Sequence, residues 1–149
     1  MLLRPLLTAV FVCLLIACKH DPTLKPFSSD GCSLFPDSAL LGDEDWCTCC
    51  FEHDLAYWRG GDKAERKQAD ERLRDCVELR TGDKAFASTM YLGVRAGGSA
   101  YFPTWYRWGY GWKGRKKYLA LSPVENAQAD KLLKRFPPQP ELVCPTRSD

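Results

Sequence analysis

The chain lacks several features that would suggest a class of protein at first reading. It has no excess of charge of one sign, with 21 Lys and Arg against 19 Asp and Glu, so we predict no nucleic-acid partner. It has no internal repeat and no long low-complexity tract. Its strongly apolar run, within residues 1–17, is too short to span a membrane comfortably. Histidine is rare, and one of the two, His53, follows a pair of adjacent cysteines.

The N-terminal residues have the pattern of an exported protein. Arg4 precedes an apolar core of signal-peptide length, and the run ends at residues 15–18, Leu-Ile-Ala-Cys. This tetrapeptide resembles the bacterial lipobox, in which the chain is cut before the cysteine and the thiol is lipidated. The alternative, a buried N-terminal helix, is disfavoured by the abrupt change to polar residues after Cys18.

From this pattern we predict three regions: a lipoprotein signal peptide at 1–17, a lipidated tether at 18–31, and a single domain at 32–149. Several acyl chains on Cys18 would anchor the protein stably to a membrane. Lys19 after the lipidated cysteine favours the outer membrane, so we expect a lipid-anchored protein of the cell envelope.

Six of the eight cysteines remain for the domain once Cys13 and Cys18 are set aside. An even number in an exported chain of this size is typical of disulfides, although the sequence alone allows about fifteen pairings. A zinc site at Cys47, Cys50 and His53 is an alternative, but its thiolates would have to stay reduced in an oxidising compartment. A redox site is a third possibility, without the usual strand-to-helix context.

Start and stop signals predict four helices, at about residues 45–59, 62–80, 83–96 and 122–136. Gly60-Gly61 ends the first helix, and Asp62 with Glu65 forms a capping-box pattern for the second. Residues 99–118 are rich in aromatic residues and glycine and show no helical period. We therefore expect a mainly α fold.

The first two helices are joined by two glycines, and so short a connection favours antiparallel packing. In an antiparallel pair of helices, the position numbers of two facing residues add up to the same value all along the interface. Cys49 with Cys76 and Ala56 with Ala69 share the same sum and lie two turns apart on one seam. The spacing therefore supports a Cys49–Cys76 disulfide, with His53 between the two pairs.

Residues 49–57, CCFEHDLAY, resemble the C-C-x-x-H-D-x-C-Y motif of secreted phospholipase A2. Residues 69–76 resemble the family's C-D-x-x-x-x-x-C pattern. The two family cysteines that bond to each other are both alanine here, at Ala56 and Ala69, as expected of a homologue that lost the pair together. Upstream, residues 30–33, Asp-Gly-Cys-Ser, resemble the D-G-C form of the family's calcium loop. The resemblance covers about a third of the chain.

The resemblance implies a fold and a disulfide pattern. The fold is a disulfide-linked pair of antiparallel helices preceded by a calcium-type loop, with further short helices and an aromatic-rich segment. The implied disulfides are Cys32–Cys50 and Cys49–Cys76, which leaves Cys47 to pair with Cys144. The cysteines then brace the helix that carries His53.

The resemblance also implies an ester hydrolase with a catalytic dyad. A neutral imidazole at His53 would take a proton from water, and Asp70 would hold the other ring nitrogen and stabilise the imidazolium. Tyr57 would support Asp70 through a hydrogen bond. Asp54 is free for another role, because consecutive helical side chains diverge by about 100°.

Calcium is the cofactor that this reading predicts, since it prefers carboxylate and carbonyl oxygens. The resemblance assigns the carboxylate to Asp54 and the carbonyls to Gly31, Ser33 and Phe35. The Ser33 N–H would donate to the oxyanion. The loop departs from the family's glycine-rich pattern, because side chains at Ser33 and Phe35 restrict the backbone where carbonyls must converge.

Two functions follow from these residues. The first is a calcium-dependent phospholipase A2 that hydrolyses the sn-2 ester of glycerophospholipids with a histidine-activated water. The alternative is a non-catalytic lipid- or protein-binding envelope lipoprotein on the same scaffold. The aromatic stretch at 105–112 either covers the core, which we favour, or meets a bilayer interface.

Overall fold

A computed structural model describes residues 23–39, 45–114 and 117–145. The predicted signal peptide and the lipidation site Cys18 lie outside these residues. The fold is mainly α, as predicted. Its helices are α1 (Cys47–Arg59), α2 (Lys63–Thr81), α3 (Lys84–Gly97), α4 (Pro123–Arg135) and the short α5 (Pro140–Val143). Within the described ranges the β structure is limited to two isolated bridges. No helix in those ranges combines the length and the apolar character needed to cross a bilayer.

Local capping explains where the helices begin. The Asp62 side chain accepts from the backbone N–H groups of Ala64 and Glu65, and the Glu65 side chain accepts from the Asp62 N–H. Ser122 and Glu125 form the same reciprocal pattern at α4. Each box satisfies donors that the first turn of a helix leaves unpaired. The capping box predicted at Asp62 is confirmed, and the helix predicted to begin near residue 122 starts with a second one.

Three disulfides brace the domain: Cys32–Cys50, Cys47–Cys144 and Cys49–Cys76. The first and third are the pairs that the resemblance implied, and Cys47–Cys144 is the pair that remained once those were assigned. All six thiols are consumed, which rules out the zinc and redox alternatives for these cysteines.

Contacts between α1 and α2 run in opposite order along the two helices. Cys49 is bonded to Cys76 near the start of α1, and His53 contacts Asp70 one turn further along. Ala56 and Ala69 lie in the same seam beside a cavity of about 30 Å³. The seam therefore carries a small void beside the two alanines, with room for about one methyl group.

Part of the predicted tether, within residues 23–31, contacts the predicted domain. Leu24 is buried and forms a backbone bridge with Trp112. The Trp58 indole N–H donates to the Lys25 carbonyl at 2.8 Å. Leu24 and Phe27 are apolar side chains within a polar stretch, and their burial holds this part of the predicted tether against the core.

The aromatic stretch serves mainly as core. Trp108 and Trp112 are buried, and their indole N–H groups donate to the carbonyls of Gly61 and Arg59, each at 2.7 Å. These bonds attach the irregular segment to the end of α1 and the Gly-Gly turn. Trp105 is the exception, with 67% of its surface exposed.

Candidate active site

A buried histidine–carboxylate pair lies between α1 and α2. His53 Nε2 is 2.8 Å from Asp70 Oδ1, and Asp70 is fully buried. His53 is one helical turn beyond Cys49 and Cys50, whose disulfides tie α1 to α2 and to the preceding loop. The imidazole therefore has a position set by covalent links on both sides.

Asp70 is surrounded by donors. The Tyr57 hydroxyl donates to Asp70 Oδ1 at 2.7 Å, and Arg95 Nη1 donates to Oδ2 at 2.6 Å. Arg66 Nε lies 3.7 Å from Oδ2 and donates to the Tyr57 hydroxyl at 3.0 Å. Burial opposes ionisation of Asp70, but the bonds from His53, Arg95 and Tyr57 together outweigh it and lower the pKa of Asp70. The carboxylate is therefore ionised at neutral pH.

Burial lowers the pKa of His53 below its ordinary value, although the Asp70 carboxylate acts in the opposite direction. The ring is therefore neutral at pH 7. An ionised Asp70 accepts from Nε2–H, so this tautomer leaves the Nδ1 lone pair as the base. Such a ring can accept a proton from water when Nδ1 faces a substrate.

An apolar cavity of about 140 Å³ adjoins the pair. His53 and Asp54 form part of its wall, and the remainder is mostly apolar, including Leu73, Met90 and Val94. We call it the apolar cavity. Gly98 is required here, because a Cβ at this position would lie 2.5 Å from the Tyr57 ring. The cavity has the surface chemistry to hold a hydrocarbon chain beside the histidine.

Asp54 is buried and has a different partner from His53. Its Oδ2 accepts from the Ser29 hydroxyl at 2.7 Å. Burial raises the pKa of Asp54 to about 7, and the charges of Asp30 and Asp37 act in the same direction. An ionised Asp54 is thus a buried negative charge near other acids, which a cation would stabilise.

The loop before α1 is the least regular part of the site. Gly31 and Leu34 both have left-handed backbones, with φ of 76° and 68°. The Ser33 N–H donates to the Gly31 carbonyl at 3.1 Å, and the Phe35 N–H donates to the Cys32 carbonyl at 2.8 Å. The predicted oxyanion donor and one predicted calcium ligand are therefore bonded to each other.

The structure brings the predicted residues to one place. The loop residues Gly31, Ser33 and Phe35 line the apolar cavity together with His53, Asp54 and Tyr57, and Asp70 lies behind His53. Within the described ranges no group of three or more His, Cys, Asp or Glu side chains is placed to hold a metal. One buried carboxylate with nearby carbonyls still fits the chemistry of calcium, which takes backbone oxygens readily.

Three contacts of the candidate site were not predicted from the sequence. Arg66 lies four residues before Asp70 on α2, so the shared helix face was a usable signal for that pair. Arg95 on α3 and Ser29 before the loop reach their carboxylates across the fold. No local pattern indicates such contacts.

Comparison with known proteins adds no identification: no protein-family model, no curated protein and no solved structure matches this chain. The functional assignment therefore depends on the residues and geometry of the site.

Proposed function

We propose that the protein is a calcium-dependent phospholipase A2 that hydrolyses the sn-2 ester of glycerophospholipids. Its scaffold is then a disulfide-linked pair of antiparallel helices with a calcium-type loop before the first. The observation that supports this most strongly is the 2.8 Å contact between His53 and Asp70 at the wall of an apolar cavity. A base oriented by a carboxylate and open to a hydrocarbon-binding space suits ester hydrolysis of a lipid.

Water is the nucleophile in this proposal. His53 Nδ1 takes the proton as water attacks the ester carbonyl, and the same proton passes to the leaving alkoxide when the tetrahedral intermediate collapses. Asp70 stabilises the imidazolium between these steps, while Tyr57 and Arg95 keep the carboxylate in place.

Calcium would be held by the Asp54 carboxylate and by carbonyls of Gly31, Ser33 and Phe35. When bound, it supplies positive charge that stabilises the developing oxyanion. The Ser33 N–H can join as an oxyanion donor if it exchanges its bond to the Gly31 carbonyl for one to the substrate.

The lipobox-like sequence at residues 15–18 supports a location at a membrane of the cell envelope for this activity. A lipidated Cys18 would hold the domain at the surface of its phospholipid substrate, and the residue after it favours the outer membrane.

The test is fatty-acid release from mixed-chain phospholipid vesicles, with calcium or with chelator. We expect sn-2 fatty acid in calcium only, and a loss of about 100-fold or more for His53→Gln, which removes the base. Asp54→Asn should lose calcium binding and activity together. Glu52→Gln is the matched control, since this exposed neighbour on α1 should keep the wild-type rate. No sn-2 release by wild type, or a full rate for His53→Gln, would refute the enzyme.

A non-catalytic lipid- or protein-binding lipoprotein is the second candidate. The bond from the Ser33 N–H to the Gly31 carbonyl favours it, because both groups are needed elsewhere in the enzyme. Calorimetric titration of the soluble domain with calcium separates the two. Binding that Asp54→Asn abolishes supports the enzyme, and no binding supports the second function.

A further inference from the structure

A second cavity, of about 430 Å³, lies next to the apolar cavity. The two share Ser33, Asp54 and Tyr106 in their walls. The remaining walls come from Trp58 and from residues within 25–30 and 104–111, and most of these residues lie outside the segment that resembles phospholipase A2. Polar side chains of Lys25, Asp30, Thr104 and Arg107 line this space, which we call the polar cavity.

Thr104 has an unpaired hydroxyl in the wall of the polar cavity. Its Oγ1 is buried and has no hydrogen-bond partner within residues 23–39, 45–114 and 117–145. The neighbouring Tyr110 hydroxyl, by contrast, donates to the Ser28 carbonyl. Buried hydroxyls in folded proteins are normally paired, so this one is free to donate to a ligand that enters the cavity.

The charges around the cavity are of both signs. Arg107 is 8% exposed, and its guanidinium donates to the carbonyls of Trp108, Gly109 and Trp112. Lys25 adds a second positive charge at the exposed rim, while Asp30 and Asp54 are negative. A calcium ion bound to Asp54 would make the net charge around the polar cavity positive, and a positive net charge favours the binding of an anion.

We propose that the polar cavity binds the phosphodiester of the phospholipid headgroup, with the Thr104 hydroxyl donating to a non-bridging phosphate oxygen. The inference rests on the proposed function and extends it to substrate recognition. In a glycerophospholipid the sn-2 ester lies between the phosphate and the acyl chain. A lipid with its phosphate in the polar cavity and its chain in the apolar cavity brings that ester to the shared wall, beside Asp54 and His53.

Thr104→Val tests the hydrogen bond, because valine has nearly the same shape and no hydroxyl. We expect kcat/KM on a phospholipid to fall about 10- to 100-fold, the range for a hydrogen bond to a charged group. Hydrolysis of a diacylglycerol in the same detergent micelles should be unchanged, because it has no phosphate. Thr104→Ser is the matched control and should recover most of the phospholipid rate.

Two results would overturn the proposal: equal losses on both lipids, or no loss on the phospholipid. The urea midpoint of Thr104→Val should equal or exceed that of wild type, since the change removes an unpaired buried hydroxyl. Calorimetric titration with sn-glycero-3-phosphocholine in the presence of calcium measures headgroup binding to the polar cavity independently of catalysis. Weaker binding to Thr104→Val than to wild type supports the inference even if no ester is cleaved, whereas equal or absent binding counts against it.

Discussion

The two sides of the apolar cavity are built in different ways. On one side, His53 and Asp70 are buried between two helices that a disulfide joins, and donors from α1 and α3 hold the carboxylate. On the other side, the loop at residues 31–37 is held by Cys32–Cys50 and by the bond from the Cys32 N–H to Asp37. Leu34 in this loop is left-handed and 76% exposed.

The two sides differ in whether the protein alone balances the charge of the buried carboxylate. The charge of Asp70 is balanced by arginines, and its hydrogen bonds are satisfied within the protein. Asp54 is also buried, but the acids near it act against its ionisation. The His53–Asp70 pair is therefore held in place and balanced in charge by the protein itself, whereas a cation beside Asp54 would stabilise the ionised form of that carboxylate.

Asp70→Asn should have the largest effect on stability. The change leaves the guanidiniums of Arg66 and Arg95 facing a neutral amide, and the free energy of unfolding should fall by about 4 kcal/mol. Urea unfolding with the disulfides intact measures it. The matched control is Asp75→Asn on the same helix, whose exposed ion pair with Arg74 contributes little. An equal loss of unfolding free energy in both variants would contradict the conclusion that the His53–Asp70 side is the better organised one.

Asp70→Asn should lower the rate of hydrolysis less than His53→Gln does. Its proposed role is to orient the ring and stabilise the imidazolium, and the base itself remains. Fatty-acid release by the two variants, compared under conditions where both are folded, separates the roles.

Asp54→Asn should have the opposite effect on stability when calcium is removed. Folding raises the pKa of Asp54 from 3.8 to about 7, so the folded state keeps a proton that the unfolded state has lost. Stability from this group is therefore complete below pH 3.8 and decreases as pH rises to about 7. The pKa difference corresponds to about 4 kcal/mol. At pH 8 the Asp54→Asn variant should recover about 3 kcal/mol of this loss. The recovery is incomplete because an amide accepts fewer hydrogen bonds than a carboxylate.

Melting curves in chelator at pH 4 and pH 8 test this prediction for wild type and Asp54→Asn. The variant should be the more stable one at pH 8, and the gap should close toward pH 4. Added calcium should stabilise wild type at pH 8 and leave the variant unchanged. A gap that does not vary with pH would show that Asp54 has an ordinary pKa.

Leu34→Gly should have the smallest effect. A left-handed conformation costs a residue with a Cβ about 1 kcal/mol relative to glycine, and Leu34 loses little burial because it is exposed. We expect a gain of at most about 1 kcal/mol in the free energy of unfolding and tighter calcium binding by calorimetry. Leu34→Ala is the control, since it keeps the Cβ and should gain neither. Weaker calcium binding in Leu34→Gly would mean that the leucine helps to shape the loop.

Much of the scaffold was predictable because its signals are local. The capping boxes at Asp62 and Ser122 act within one helical turn, and the Gly60-Gly61 turn brings α1 and α2 together. The turn and the helical repeat place His53 in the seam between the two helices, and its contact with Asp70 is the one that the resemblance implied. The contact between Leu24 and Trp112 was not predicted, because the two residues are almost ninety positions apart and no local pattern links them.

The sequence by itself determined the helices, the seam that carries His53 and Asp70, and the set of cysteines able to brace them. These features depend on neighbours within a few turns, where backbone geometry limits the choices. Only the tertiary structure decided that Arg95 reaches Asp70, that Ser29 binds Asp54, and that Thr104 lines a second cavity. Those contacts join segments 25 or more positions apart, and their partners depend on how the whole chain packs rather than on any local pattern.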